Sequence, residues 1–477
     1  MLTIIISFTL YTLAIITVGV LSLRWSQISN LDFFLARRKL GAWVAAISSC
    51  ASAESGWVML GLVGFSFTEG ISTIWIIPGC IAGYLCNWIF IAPKMRRLSH
   101  SSNAVTLPDF LVSHLSGNTL SIRIIAVIII SVSMIFYVAA QMNATGKAFN
   151  AVFGLDYFVG VFTGAAIILV YSIFGGYRAV AWTDLIQGML MLLALVVLPV
   201  VAMIHIGGIS DLIANLSSQD SNLLSITSKK TGFALFGLII GLAGIGLAYP
   251  GLPHVLVRYM SIKDDKAVFR GGIIATTWVF FVLSGAILLG LTTRAIFVDL
   301  PDAEQALPIL IVQYLPGIVS GLMLAAIMSA ICSTADSQLI VAASSIAHDI
   351  IHKVFGKELQ PSTLSIINRL TVGLLGMVAV ILAISENRMI FSFVLYVWSV
   401  LGASFGPVVI LKLWLKRLSK AGIIAGMVTG SVVTVVWRTT KLSSFLYELV
   451  PAFTLAFIAV IVFSLLLPDR NAETKKN

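Results

Sequence analysis

A lone carboxylate, Glu54, stands in the middle of a stretch that is otherwise long and apolar enough to cross a bilayer. The surrounding run, Ser48-Ser49-Cys50-Ala51-Ser52-Ala53-Glu54-Ser55-Gly56, is small and polar, inside an apolar segment from about residue 41 to 67. An ionisable group at membrane depth is expensive and marks a candidate solute or ion site. Unwound backbone is tolerated there only where protein buries it or a cavity receives it. A second stretch, Ala330-Ile331-Cys332-Ser333-Thr334-Ala335-Asp336-Ser337-Gln338, is rich in hydroxyls. Residues 330, 333, 334 and 337 share one helical face by the i, i+3, i+4 spacing. Two hydroxyls together with carbonyls freed from an unwound helix would suit a dehydrated Na⁺, a small hard cation that takes several oxygen ligands. The plainer reading is that these hydroxyls bond back to their own helix or join neighbouring helices.

Two further groups are weaker candidates. Asp184 lies in Trp182-Thr183-Asp184, where a membrane segment is expected to begin. It reads either as a carboxylate favoured at a helix start or as part of an ion's route to the cytoplasm. His348 and His352 have the i, i+4 spacing of a metal pair, but no third ligand stands beside them and no metal site is expected. No GxSxG, HExxH, P-loop or GxGxxG occurs with the strand context that its chemistry needs, so neither enzyme chemistry nor ATP-driven transport has support.

Composition says what must position these residues. The chain is 59% hydrophobic and only 10% charged, with a mean hydropathy of +1.03. A soluble domain carries about a quarter charged residues, so this is a polytopic membrane protein forming one transmembrane domain over 1–477. The net charge of +10 is scattered through short loops and does not indicate nucleic acid. The four cysteines, Cys50, Cys80, Cys86 and Cys332, read as small buried hydrophobes and not as a disulfide framework. The first span is expected to be retained and not cleaved, and the tail 468–477 to carry no signalling domain.

The pattern predicts thirteen spans, near 3–23, 41–67, 71–93, 124–146, 156–177, 184–206 and 233–257, then 271–293, 316–346, 370–385, 389–411, 421–437 and 451–467. With the N-terminus outside, 23 of the 30 basic residues, Arg258 among them, fall in inner loops or the tail. Seven, including Lys147, fall outside. This asymmetry predicts the N-terminus out and the C-terminus in. The outer links 207–231 and 297–308 are expected to be surface caps.

Gly241-Leu242-Ala243-Gly244-Ile245-Gly246-Leu247-Ala248-Tyr249-Pro250-Gly251-Leu252-Pro253 predicts a second broken span, since proline removes an N–H and clashes one turn back. The two broken spans are the second and the seventh. If 41–206 and 233–411 are two five-span units, each opens on a broken span and they start on opposite sides of the membrane. That is the pattern of an inverted-repeat secondary transporter with its site at the midplane. The segments 3–23, 421–437 and 451–467 would flank it.

The whole chain resembles the sodium:solute symporter family, with its bacterial sodium/proline symporters most similar. The motifs that carry the likeness run from Leu31-Asp32-Phe33-Phe34-Leu35, Ser55-Gly56-Trp57 and Leu107-Pro108-Asp109-Phe110 to Gly175-Gly176-Tyr177-Arg178 and Trp182-Thr183-Asp184. They continue through Pro253-His254, Arg258, Ser333-Thr334-Ala335-Asp336-Ser337-Gln338, Ser404-Phe405-Gly406-Pro407 and Tyr447-Glu448. The resemblance implies an all-α, LeuT-like five-plus-five inverted repeat with flanking helices, in the bacterial cytoplasmic membrane, as a monomer or weak oligomer. It implies a sodium site from the carbonyls of Ala51, Glu54 and Ala330 and the hydroxyls of Ser333 and Thr334, with Asp184 on the ion's inner exit. It places Ser55, Gly56, Trp57, Tyr137, Ile245, Tyr249 and Pro253 around a small solute, proline or a similar amino acid.

Two positions depart from the family pattern. Ala53 replaces an aspartate that matters for sodium, and Ile245 replaces a pocket tryptophan. Three readings of Glu54 therefore stay open: it replaces the lost charge, it links transport to protons, or it points elsewhere. The Ile245 departure also leaves open other family solutes, such as pantothenate and other monocarboxylates. Alternating-access symport leads; a sensor acting through a partner protein and a channel are the readings from other classes.

Overall fold

The computed structural model describes residues 1–21, 34–174, 176–356, 360–385, 389–415 and 417–469. The motif residues Leu31, Asp32, Phe33 and Gly175, the end of the first span at 22–23, and most of the tail lie outside the described residues.

All thirteen expected spans are helical. Helix α1 (Leu2–Leu21) precedes α2 (Ala42–Ala53), which stops short, and a π-helical turn, Trp57–Leu62, restarts the crossing into α3 (Val63–Glu69). The third crossing is α4 (Ile76–Cys86), a second π turn and α5 (Ala92–Ser101), followed by the short α6 (Leu107–Val112). Then come α7 (Leu120–Phe153), α8 (Tyr157–Phe174), α9 (Tyr177–Ile206) and the amphipathic α10 (Ile209–Gln219) of the long link. The seventh span is α11 (Gly232–Ala243), a 3₁₀ segment Gly244–Gly251, and α12 (Pro253–Ser261). Helices α13 (Asp265–Ile296), α14 (Ala306–Tyr314) and α15 (Gly317–Ser344) follow, α15 continuing as a π-helical stretch to Val354. The last four are α16 (Pro361–Ser385), α17 (Ile390–Trp414), α18 (Lys420–Thr439) and α19 (Leu449–Leu466).

The distribution of polarity is inverted relative to a soluble protein. Large apolar side chains such as Ile204, Phe233, Ile273, Leu370 and Leu465 are exposed around the helical belt, while Ser48, Ser52, Glu54, Asp184, Arg258 and Asp336 are wholly buried. Lipid is as apolar as leucine, so packing and internal hydrogen bonds hold such helices together.

Both expected interruptions are present. The first is at Glu54, which has non-helical φ −88° and ψ 77°. The second is at Leu252, with φ −85° and ψ 108°. The glycines before Leu252 tighten the packing. A Cβ on Gly79 of α4 would lie 2.0 Å from the Ala243 carbonyl oxygen, and one on Gly246 only 1.9 Å from that of Gly79. On the other side, a Cβ on Gly251 would meet Gly402 and Gly406 of α17 at 2.7 Å. The broken segment is thus wedged between α4 and α17, backbone against backbone.

Two basic residues are not where the loop count placed them. Arg258 is on α12 and wholly buried, and Lys147 is on α7 and nearly so. Each has acidic partners inside the bundle. Asp184 also differs from its helix-start reading: α9 begins at Tyr177 with Gly176 as its cap, which puts Asp184 two turns inside the helix.

Candidate functional site

The short end of α2 lies against the middle of α15, and oxygens converge where they meet. Ser333 Oγ donates to the Ala51 carbonyl at 2.9 Å and lies 3.2 Å from the Ala330 carbonyl. Thr334 Oγ1 donates to the same Ala51 carbonyl at 3.2 Å. Ala51, Ser333, Thr334 and Ala330 are all wholly buried. Of the five expected sodium ligands, the fold brings these four together. The donor set is oxygen only and electrically neutral, which fits a small hard monovalent cation. The fifth expected ligand is the Glu54 carbonyl; the Glu54 carboxylate accepts from Tyr249 (2.7 Å) and Tyr84 (3.3 Å), both on Oε1.

Beyond the α2 interruption the backbone is held by side chains of α7. The Gly56 N–H donates to Gln141 Oε1 at 3.1 Å, and Gln141 Nε2 donates to Ser55 Oγ at 3.2 Å. Tyr137 donates to the Ala53 carbonyl at 3.3 Å and accepts from Trp398 Nε1 of α17 at 2.9 Å. Trp57 Nε1 turns back to the Ala53 carbonyl at 2.9 Å. The Trp398 ring lies 5.3 Å from Trp57 and 5.3 Å from Tyr249. An aromatic cluster with a few polar tips results, the side-chain make-up usual around a small molecule. Ser55, Gly56, Trp57, Tyr137 and Tyr249 come together in this cluster. Ile245 stands one turn before Tyr249, in the wall of a 420 Å³ cavity shared with Phe65, Leu242, Phe391 and Leu395. Pro253 opens α12 directly after the Leu252 break and is buried.

The sequence reading missed Gln141, Trp398, Tyr84, His254 and Arg258. A tryptophan in an apolar helix carries no signal of its own. His254 was legible only as part of a motif; it is wholly buried, with its ring 6.0 Å from Tyr137. Arg258 was readable as an intramembrane charge only if α12 were recognised as lying within the bundle.

Below the oxygen cluster sits a closed polar network. Asp184 Oδ2 accepts from Ser48 (2.6 Å), Arg258 Nη2 (3.0 Å) and Ser52 (3.5 Å). Arg258 also donates to Ser48 Oγ at 3.0 Å, the His254 carbonyl at 2.6 Å and Ser337 Oγ at 2.5 Å. This network joins α2, α9, α12 and α15 at one point, one turn from Ala51. At the opposite end, Glu304 is pinned by Lys147 Nζ at 2.6 Å and accepts from the first N–H groups of α17, Ile390 and Phe391, at 2.9 Å each. The 297–308 link is therefore not merely a surface cap, because Glu304 is buried in it.

The His348 ring lies 5.5 Å from that of His352. His348 Nε2 faces Asp109 at 3.6 Å, while Arg123 bridges Asp109 and Asp349. Burial pushes the Asp109 carboxyl up, but the His348 and Arg123 hydrogen bonds and charges outweigh it and hold it well below the usual carboxylate range.

A model of the sodium:solute symporter family matches residues 33–430. The chain belongs to the sodium:solute symporter family. Members of this sodium:solute symporter family are secondary transporters and not enzymes. This symporter is 36% identical to a high-affinity proline transporter of Bacillus subtilis, over 93% of this chain and 94% of the relative. It is 32% identical to a sodium/proline symporter of Escherichia coli, over 99% of this chain and 94% of that one. Among solved structures, a Na⁺-coupled sialic acid symporter aligns with a TM-score of 0.83 at 19% identity, covering 98% of this chain and 99% of that one. A nucleobase-cation symporter follows at 0.57 and 14% identity, over 94% and 98%. The LeuT-like architecture that the family resemblance implies is that of these neighbours.

Proposed function

We propose that this chain is a sodium-coupled importer of proline or a similar small amino acid, working by alternating access in the bacterial cytoplasmic membrane. The observation that carries the reading is the meeting of Ala51, Ala330, Ser333 and Thr334 across two spans that belong to different repeats. Sodium bound there ties α2 to α15, and α2 also leads into the aromatic cluster through Ser55 and Gly56. The names of the relatives support proline as the solute.

In this reading the repeats are 41–206 and 233–411, the chain starts outside and ends inside, and the cavity beside Ile245 is the outer vestibule. The Asp184–Arg258 network then closes the inner side, and Asp184 receives the ion as it leaves. Na⁺ enters as cargo with the solute. Its carbonyl and hydroxyl ligands replace the hydration shell without adding fixed charge. The Glu54 carbonyl completes the ligand set, and no proton is required.

The test is uptake into proteoliposomes of labelled proline, other small amino acids and pantothenate, each under a sodium gradient, a proton gradient, or neither. Sodium-driven accumulation of proline or a close analogue is expected. Acceleration by a proton gradient alone would sink the sodium assignment, and preferred uptake of pantothenate would sink the solute.

A further inference from the structure

Glu54 is a carboxylate with one oxygen satisfied and the other bare. Oε1 accepts from the hydroxyls of Tyr249 and Tyr84, while Oε2 is buried with no hydrogen-bond partner among the described residues. An ionised carboxylate in a low-dielectric interior is strongly unfavourable unless paired and fully hydrogen-bonded. Among the described residues, ionisable groups that feel its charge include Cys50 on its own helix, Cys80 and Tyr84 on α4, Tyr137 on α7 and Tyr249 in the seventh span. None of these is a cation. The buried guanidinium of Arg258 is committed to Asp184, Ser48, Ser337 and the His254 carbonyl. An ionised Glu54 therefore takes its positive partner from outside these groups.

We propose that Oε2 of Glu54 receives the protonated nitrogen of the solute, so that only solutes carrying a cationic amine are bound well. This rests on the amino-acid import reading above and narrows it to a substrate class. The position suits the role. Glu54 immediately precedes Ser55 and Gly56 of the aromatic cluster, and Tyr249, which orients its carboxylate, meets Trp398 edge to face. The two tyrosines fix the carboxylate through Oε1 and leave Oε2 for an N–H donor, a charge-assisted bond of the strong kind. Sodium is served by the neutral oxygens of Ala51, Ala330, Ser333 and Thr334. A solute whose only charge is a carboxylate, such as pantothenate, would bring a second negative charge beside the first with no ammonium to offset it, and be rejected.

The test compares proline with tetrahydrofuran-2-carboxylate, which has a ring oxygen in place of the amine, as competitors of labelled proline uptake. The full chain is reconstituted as wild type, Glu54→Gln and Glu54→Asp. Wild type should prefer proline by about 100-fold or more, as expected when a buried polar group is left unpaired by the analogue. Glu54→Gln should shrink that preference to below about 10-fold with the sodium dependence intact, and Glu54→Asp should restore part of it. Full discrimination in a folded Glu54→Gln protein would overturn the inference, as would loss of sodium dependence with solute preference unchanged. If the glutamine variant does not fold, wild type alone decides: pyrrolidine, an amine without a carboxylate, should compete better than tetrahydrofuran-2-carboxylate, and the reverse order overturns the inference. Uptake of no amino acid by wild type would instead defeat the import reading itself.

Discussion

Arg258 Nη2 lies 3.0 Å from Asp184 Oδ2, and both side chains are wholly buried. The pair joins the seventh span to the sixth directly beneath the oxygen cluster. Removing one partner of such a pair leaves an uncompensated charge and costs about 3–5 kcal/mol, whereas removing both costs less. Thermal unfolding in detergent should therefore show Arg258→Gln and Asp184→Asn each strongly destabilised, and the double variant less so than the sum. Additive losses would mean that the two act separately.

Ser333→Ala and Thr334→Ala each remove one hydroxyl that faces the Ala51 carbonyl. The sodium concentration for half-maximal uptake should rise about tenfold, equivalent to roughly 1.4 kcal/mol of lost coordination. Solute KM at saturating sodium should change little. If both variants match wild type across a sodium titration, the hydroxyls serve only to join helices.

Ile245 borders a 420 Å³ cavity, so a larger ring has somewhere to go. Ile245→Trp should fold, and it should shift selectivity toward proline among small amino acids, since the resemblance places a tryptophan here in proline symporters. A competition panel read in uptake assays checks this, and an unchanged ranking in the folded variant would count against the pocket assignment.

Acid should loosen the clasp formed by Asp109, Arg123, His348 and Asp349. The Asp109 carboxyl is held below its ordinary range in the folded protein, so its contribution to stability is complete above the unfolded value, about 3.9. It is lost as pH falls through and below that value toward the folded one. Thermal midpoints measured from pH 7 down to about 3 should drop more steeply in wild type than in Asp109→Asn, which starts lower and responds less.

The architecture was open to reading because lipid forces it into the sequence. Apolar runs of span length, glycine and proline at 241–253, and small polar residues at 48–56 each report a local requirement. The repeat pattern needed only their spacing. What stayed hidden was contact between distant segments. Nothing near Trp398 or Gln141 tells that they reach Tyr137 and Gly56, and nothing near Glu304 tells that it caps α17. Lys147 and Arg258 look like loop charges because the sequence does not reveal which ends of long helices are covered by neighbours. Glu54 shows the same division. Its presence within the membrane was plain, but its direction was set by Tyr84 and Tyr249, 30 and 195 residues away.

The measurement that bears most directly on sodium-coupled binding is a pair of titrations by calorimetry on the purified protein. Proline affinity is determined across sodium concentrations, and sodium affinity across proline concentrations. Coupling between sites is reciprocal, so each ligand should tighten the other by the same factor. The site geometry predicts a clear rise in proline affinity with sodium and an equal rise in the opposite titration. Proline binding that is indifferent to sodium would contradict it.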